Sequence, residues 1–194
     1  MPRAALILFA VPMLMLLSGC TRAPVPTPSR ESFVRVQGGT FAMPAAGECR
    51  ALALIFVGTE CPIANGYAPE IKRLHEEYAP RGVTLCVVYA DPDLELEEAA
   101  HHAAEYGFPC PALLDPQLTL ARRVGATVVP EAAVLVGKDV VYRGRIDDLY
   151  PAFGKRRPEP TQRELRAALD AVLAGRPVAT PRVPAIGCDI PFKQ

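Results

Sequence analysis

The chain has 194 residues, 50% of them hydrophobic and 22% charged, with 21 basic and 21 acidic side chains. That is enough chain and apolar surface for one domain with a real core. The balanced charge, with no long like-charge run or internal repeat, excludes the concentrated basic surplus of a nucleic-acid binder. Six cysteines are too few for a disulfide-built scaffold.

Arg3 is followed by an apolar run from Ala4 to Leu17, closing on Leu17-Ser18-Gly19-Cys20. A basic start, a short apolar stretch and small residues at its end predict an export signal over 1–19. The run falls short of the ~20 residues of a spanning helix. Leu-Ser-Gly-Cys also resembles the lipobox of bacterial lipoproteins. That resemblance implies cleavage before Cys20 and lipidation of its thiol; the alternative is a plain secretory signal or uncleaved anchor. Alternating prolines make 20–32 an extended tether of about 3 Å per residue. The domain is then expected over 33–175, held on a membrane outside the cytoplasm, facing the periplasm or cell exterior, where disulfides persist.

Ala51 to Val57 is a continuous apolar run, as expected of a strand buried on both faces. Between Pro62 and Tyr78 apolar residues recur every three or four positions, predicting an amphipathic helix kinked at Pro69. Val83–Tyr89 reads as a second buried strand. A helix capped by Asp91 or Asp93 and stopping at Gly107 should follow. A short strand at Ala112–Leu114, a helix near Gln117–Val124 and a hairpin of Ala132–Val136 with Val140–Tyr142 come next. Thr161 to Glu164 reads as a capping box opening a last helix that ends at Gly175. Residues 176–194 show no periodicity and read as an irregular, mobile tail carrying Cys188. This succession predicts an α/β fold with a central mixed sheet flanked by helices.

Cys61 stands where the first buried strand meets the amphipathic helix. A thiol there faces unpaired backbone N–H groups, which favour the thiolate and a nucleophilic role. Pro62 suits the first helical position, where its missing N–H costs nothing. The adjacent Glu60 opposes the thiolate. The bland alternative is a small residue packed at a strand end.

Phe56-Val57-Gly58-Thr59-Glu60-Cys61-Pro62 resembles the active-site turn of exported thioredoxin-like proteins of the TlpA type and of the redoxins. Pro69, eight residues after Cys61, matches the helix-kinking proline of thioredoxins. Val129-Pro130 matches the cis-proline that faces the thiol and positions a disulfide substrate. The Gly58-to-Pro69 segment, Tyr142-to-Asp148 and the tail Ile186-Gly187-Cys188-Asp189-Ile190 resemble one bacterial subgroup of redoxin, or thiol-specific-antioxidant, domain proteins. The resemblance implies a thioredoxin-like fold and thiol oxidoreductase activity without a cofactor. The departures are equally specific. Ala64 stands where thioredoxins carry their second cysteine, and Ile55 stands where they carry a buried acid. Thr59 precedes Cys61 by two residues, against three for the peroxiredoxin threonine. Arg123, Arg143 and Arg145 are all open as a peroxidase arginine.

With Cys20 lipidated, five thiols remain, an odd number, so one stays free or pairs outside the chain. Cys86 and Cys110 read as buried structural residues, and Cys49 sits in a polar turn. A lone thiol at Cys61 needs another to resolve its mixed disulfide or sulfenic acid. Cys188 is the preferred resolving residue, with a static Cys49–Cys188 bridge as the alternative. Position 65 is Asn, so the second thiolate of the thioredoxin-fold copper chaperones is missing. His101 and His102 read as solvent-facing, and Asp147-Asp148 as a solvated charged loop. No metal is expected.

The leading expectation is a membrane-tethered thiol-disulfide oxidoreductase with Cys61 as nucleophile, Pro130 positioning the substrate, and an external thiol as reductant. A thiol peroxidase, with Thr59 holding a hydroperoxide, is the second. A non-catalytic binding module of the same fold is the third.

Overall fold

The computed structural model describes residues 30–192. The export signal, Cys20, all of the tether before residue 30 and the last two residues lie outside the described residues.

Strand β1 (Ser32–Arg35) pairs with β2 (Thr40–Ala42), a hairpin whose three- and four-residue strands are too short to announce themselves by alternation. Strand β3 (Ala51–Val57) has all seven side chains buried, the outcome its unbroken apolar run requires. Helices α1 (Pro62–Gly66) and α2 (Ala68–Tyr78) follow, then strand β4 (Val83–Tyr89), helix α3 (Leu96–Glu105), strand β5 (Ala112–Leu114) and helix α4 (Thr119–Val124). Strand β6 (Val128–Val129) precedes the hairpin of β7 (Glu131–Val136) and β8 (Asp139–Gly144). Helix α5 (Glu164–Leu173) and strands β9 (Arg182–Val183) and β10 (Cys188–Asp189) complete the chain.

The main sheet runs β2-β1-β5-β4-β3-β7-β8-β9, with β3, β4 and β5 parallel and β7 antiparallel to β3. Helix α2 packs on β4, and α5 packs on β3, β7 and β8. Arg166 of α5 ties the two helices together through the buried Glu70 and through Glu77. The core is continuous across both sides of β3 and β4. It includes Ile71 and Leu74 of α2 and Leu165 and Leu169 of α5, each no longer accessible to solvent. Among the described residues, no helix is long and apolar enough to cross a membrane.

Several elements depart from the sequence expectation. The helix expected over Pro62–Tyr78 is broken at Tyr67. Pro69 has no N–H to offer the carbonyl of Asn65, so the hydrogen-bond ladder restarts with Ile71 donating to Tyr67. Helix α3 is not capped by Asp91 or Asp93. Asp91 instead accepts from the N–H of Asp93 in the preceding turn, and α3 begins at Leu96.

The Thr161 capping box does not form either. Thr161 gives both its N–H and its hydroxyl to Asp148, and α5 starts at Glu164. A carboxylate removed from water needs every donor within reach, and Asp148 takes these two, the N–H of Gln162 and the guanidinium of Arg157. Asp147 and Asp148 are therefore buried, not a solvated loop. The tail is likewise ordered. β9 pairs with β8, β10 pairs with β6, and Ile190 is buried.

Candidate active site

Strand β3 delivers the chain to a tight turn at Gly58-Thr59-Glu60-Cys61, closed by the Cys61 N–H donating to the carbonyl of Gly58 at 3.4 Å. Cys61 caps α1 in an extended backbone conformation, with Pro62 in the first turn. Its side chain is only 3% exposed. The Cys61 thiol donates to the carbonyl oxygen of Val129 at 3.1 Å. The Val129–Pro130 peptide is cis, and Pro130 immediately precedes β7.

The second sulfur comes from the far end of the chain. Cys188 Sγ lies 2.9 Å from Cys61 Sγ, its thiol donating to the Cys61 sulfur. β10 brings it there by pairing antiparallel with β6, with Cys188 opposite Val129 and Asp189 opposite Val128. The Ile190 N–H donates to Thr127 at 2.9 Å and extends the attachment. Cys188 is partly exposed while Cys61 is covered. Burial and the Cys61 neighbour push the Cys188 thiol up to about 11. Cys49 is partly buried and is not the partner of Cys188. Cys86 and Cys110 are buried, and burial raises both thiols, Cys110 to about 12.

The loop under Cys61 is braced by Glu131. Its buried carboxylate accepts the Thr127 N–H at 2.8 Å and pairs with Arg143 at 3.3 Å. The three candidate peroxidase arginines are all engaged: Arg123 with Glu31, Arg143 with Glu131 and the carbonyl of Gly125, and Arg145 with Glu164. The Thr59 hydroxyl donates to Glu98 of α3 at 3.1 Å.

A cavity of about 460 Å³ opens beside the two sulfurs. Glu60, Asp91, Asp93, Glu98 and Asp189 contribute to its wall, and among the described residues no lysine, arginine or histidine does. No group of three or more His, Cys, Asp and Glu side chains among the described residues is placed to hold a metal ion.

His102 is the largest departure from the sequence reading. It is 5% exposed, not solvent-facing. Its Nδ1 lies 2.8 Å from the Tyr89 hydroxyl and its Nε2 lies 3.0 Å from Asn65 Oδ1. The Asn65 amide donates in turn to the carbonyl of Thr59 at 3.0 Å. Burial lowers the His102 pKa, favouring the neutral ring. A signal existed: Ala99, His102 and Ala103 form the buried stripe of α3 at helical spacing. Nothing in the sequence indicated that Asn65 and Tyr89 would meet it.

The Redoxin family model matches residues 36–150, which include Cys61 and Pro130 but stop short of Cys188. No curated protein is significantly similar to the chain. Among solved structures, a hypothetical protein from Sinorhizobium meliloti 1021 is 28% identical, with a TM-score of 0.73 covering 85% of this chain and 92% of that one. An uncharacterized conserved protein from Geobacillus kaustophilus is also 28% identical, with a TM-score of 0.71 covering 85% and 89%. A secreted disulfide oxidoreductase from Mycobacterium tuberculosis, homologous to E. coli DsbE, shares the fold at 14% identity and a TM-score of 0.51, covering 75% and 96%. The architecture is thioredoxin-like.

Proposed function

Because this chain belongs to the Redoxin family of thiol oxidoreductases, we propose that it exchanges dithiol for disulfide between Cys61 and Cys188. The observation that carries the reading is the 2.9 Å approach of two sulfurs 127 residues apart in sequence. Cys61 attacks one sulfur of a substrate disulfide and the other leaves as a thiolate that takes up a proton. Cys188 then attacks Cys61 Sγ in the mixed disulfide and releases the second substrate thiol. Two electrons pass to the substrate and a Cys61–Cys188 disulfide remains. Two thiols from an external reductant restore the dithiol.

The covered position of Cys61 means that β10 lifts to admit a substrate. The two-residue β10–β6 ladder is short enough to open locally. Val129 lines the cavity beside the sulfurs, and its carbonyl, held next to Pro130, aligns the substrate disulfide. Thr59 serves the turn through Glu98, and with the three arginines paired elsewhere the disulfide-exchange reading is favoured over the peroxidase one. The enzyme works outside the cytoplasm, tethered through a lipid on Cys20.

Oxidation of the mature protein with glutathione disulfide, followed by peptide mapping, tests the reading. A Cys61–Cys188 peptide is expected, and Cys188→Ser should accumulate a mixed disulfide at Cys61. Wild-type protein that keeps both thiols free for alkylation after oxidation would overturn it.

A further inference from the structure

A chain of polar groups, Tyr89, His102 and Asn65, does not line the cavity but ends on Thr59 of the Cys61 turn, and the exchange steps do not use it. Its direction is fixed by chemistry. The Thr59 carbonyl can only accept, so the Asn65 amide must present its NH₂ there and its oxygen to His102. His102 therefore carries its proton on Nε2, and the bare Nδ1 accepts from the Tyr89 hydroxyl. Every member donates toward the active-site turn: Tyr89 to His102, His102 to Asn65, Asn65 to Thr59. Burial keeps the Tyr89 phenol protonated, which sustains this direction.

The turn is held at a second point by the same helix. Glu98, one helical turn before His102 on α3, accepts from the Thr59 hydroxyl. Asn65 is also anchored through its own N–H, which donates to the Cys61 carbonyl at 3.0 Å. Thr59 is thus gripped at its carbonyl and its hydroxyl, two residues from the reacting sulfur. On its other side, Cys61 faces Val129 and Cys188. The turn's own hydrogen bond, from the Cys61 N–H to the Gly58 carbonyl, is longer, at 3.4 Å.

We infer that Asn65 and His102 are positioning residues that fix the Thr59–Cys61 turn and thereby hold Cys61 Sγ at Cys188. The inference rests on the dithiol–disulfide reading above and adds a determinant of its equilibrium. Without the clamp the turn samples other conformations, the effective concentration of the two sulfurs falls, and the disulfide is less favoured. The reaction that reports this is Cys61–SH + Cys188–SH + glutathione disulfide giving the Cys61–Cys188 disulfide and two glutathione thiols.

The test measures that equilibrium constant for wild type, His102→Ala, His102→Gln and Asn65→Ser, with thermal stability recorded alongside. His102→Ala and Asn65→Ser should each lower the constant by ~10-fold, about 30 mV for a two-electron couple. His102→Gln, whose amide can donate to Asn65 and accept from Tyr89, should restore most of it. Should His102→Ala not fold, Asn65→Ser decides, because Asn65 is only partly buried and the change leaves the His102 ring in place. Constants within twofold of wild type in variants whose melting alone has changed would overturn the inference, as would a folded His102→Gln that behaves like Ala. Wild type that forms no Cys61–Cys188 disulfide would instead refute the exchange reading itself.

Discussion

A Cβ placed on Gly187 would lie 2.0 Å from the carbonyl oxygen of Val129, far inside any tolerated contact. Gly187 immediately precedes β10, and the obstacle is the backbone of Val129 and Pro130, the former being the residue whose carbonyl accepts from Cys61. Gly187 therefore lets the tail lie against the loop before Pro130 and sets the distance between the sulfurs. Gly187→Ala should lift β10 and slow the attack of Cys188 on the Cys61 mixed disulfide by up to ~100-fold, the cost of a misplacement of about 1 Å. Stopped-flow oxidation with glutathione disulfide checks this. An unchanged rate in the folded variant would show that the tail is not held by this contact.

The Cys188 thiol should titrate late. Burial comes first among the causes, followed by its hydrogen bond to Cys61 and the proximity of that sulfur, and together they take it to about 11. Because the folded value lies above the ordinary one, the neutral thiol is the form favoured by the fold. Its contribution to stability is present below about pH 9 and is lost as pH rises through 11. Alkylation of Cys188 by iodoacetamide should accelerate over that window, and Cys61→Ser should move the midpoint downward. Mass spectrometry of the Cys188 peptide across pH reads both outcomes.

The cavity beside the sulfurs is walled by five carboxylates, Glu60, Asp91, Asp93, Glu98 and Asp189. An approaching thiol meets that negative field before it meets sulfur. Cysteamine, which is cationic, should reduce the Cys61–Cys188 disulfide faster than anionic mercaptoethanesulfonate, by ~10-fold at low ionic strength. The ratio should shrink toward one in about 1 M salt, where screening acts within ~3 Å. Equal rates at low salt would exclude an electrostatic filter.

Asp148 joins the end of the loop after β8 to the approach of α5. Desolvation acts to raise its pKa, but hydrogen bonds from Thr161 and Gln162 and the nearby Arg157 prevail and bring it to about 2. A folded value below the unfolded one means that the stabilisation is present above about pH 4 and is lost as pH falls toward 2. Asp148→Asn should lower the melting temperature by ~5 °C at neutral pH, with the difference closing in acid. Parallel melts at pH 7 and pH 2.5 decide it.

The tether makes its own prediction. Cys20→Ala should leave the precursor uncut or release the domain from membranes, while the mature wild type should start at Cys20 and carry lipid. Intact-mass measurement of an unlipidated chain beginning elsewhere would refute the anchor.

Local chemistry was enough to determine β3 and β4, because a strand buried on both faces is apolar nearly throughout, Thr84 of β4 being the partly exposed exception. It also placed Cys61 at a strand–helix junction and Pro130 ahead of β7, since each depends on the residues beside it in the chain. Tertiary structure decided the rest. Whether His102 is solvated or buried depends on Asn65, 37 residues away, and on Tyr89, which together satisfy both ring nitrogens. Asp147 is buried because Tyr67, 80 residues earlier, donates to it at 2.6 Å, and Asp148 because Thr161 and Gln162 do. The tail, which has no periodicity of its own, is ordered by the free edge of β6 and by a glycine small enough to approach it. A polar group reveals its environment only through its partner, and a two-residue strand only through its neighbour. When that partner is distant in sequence, no local pattern records it.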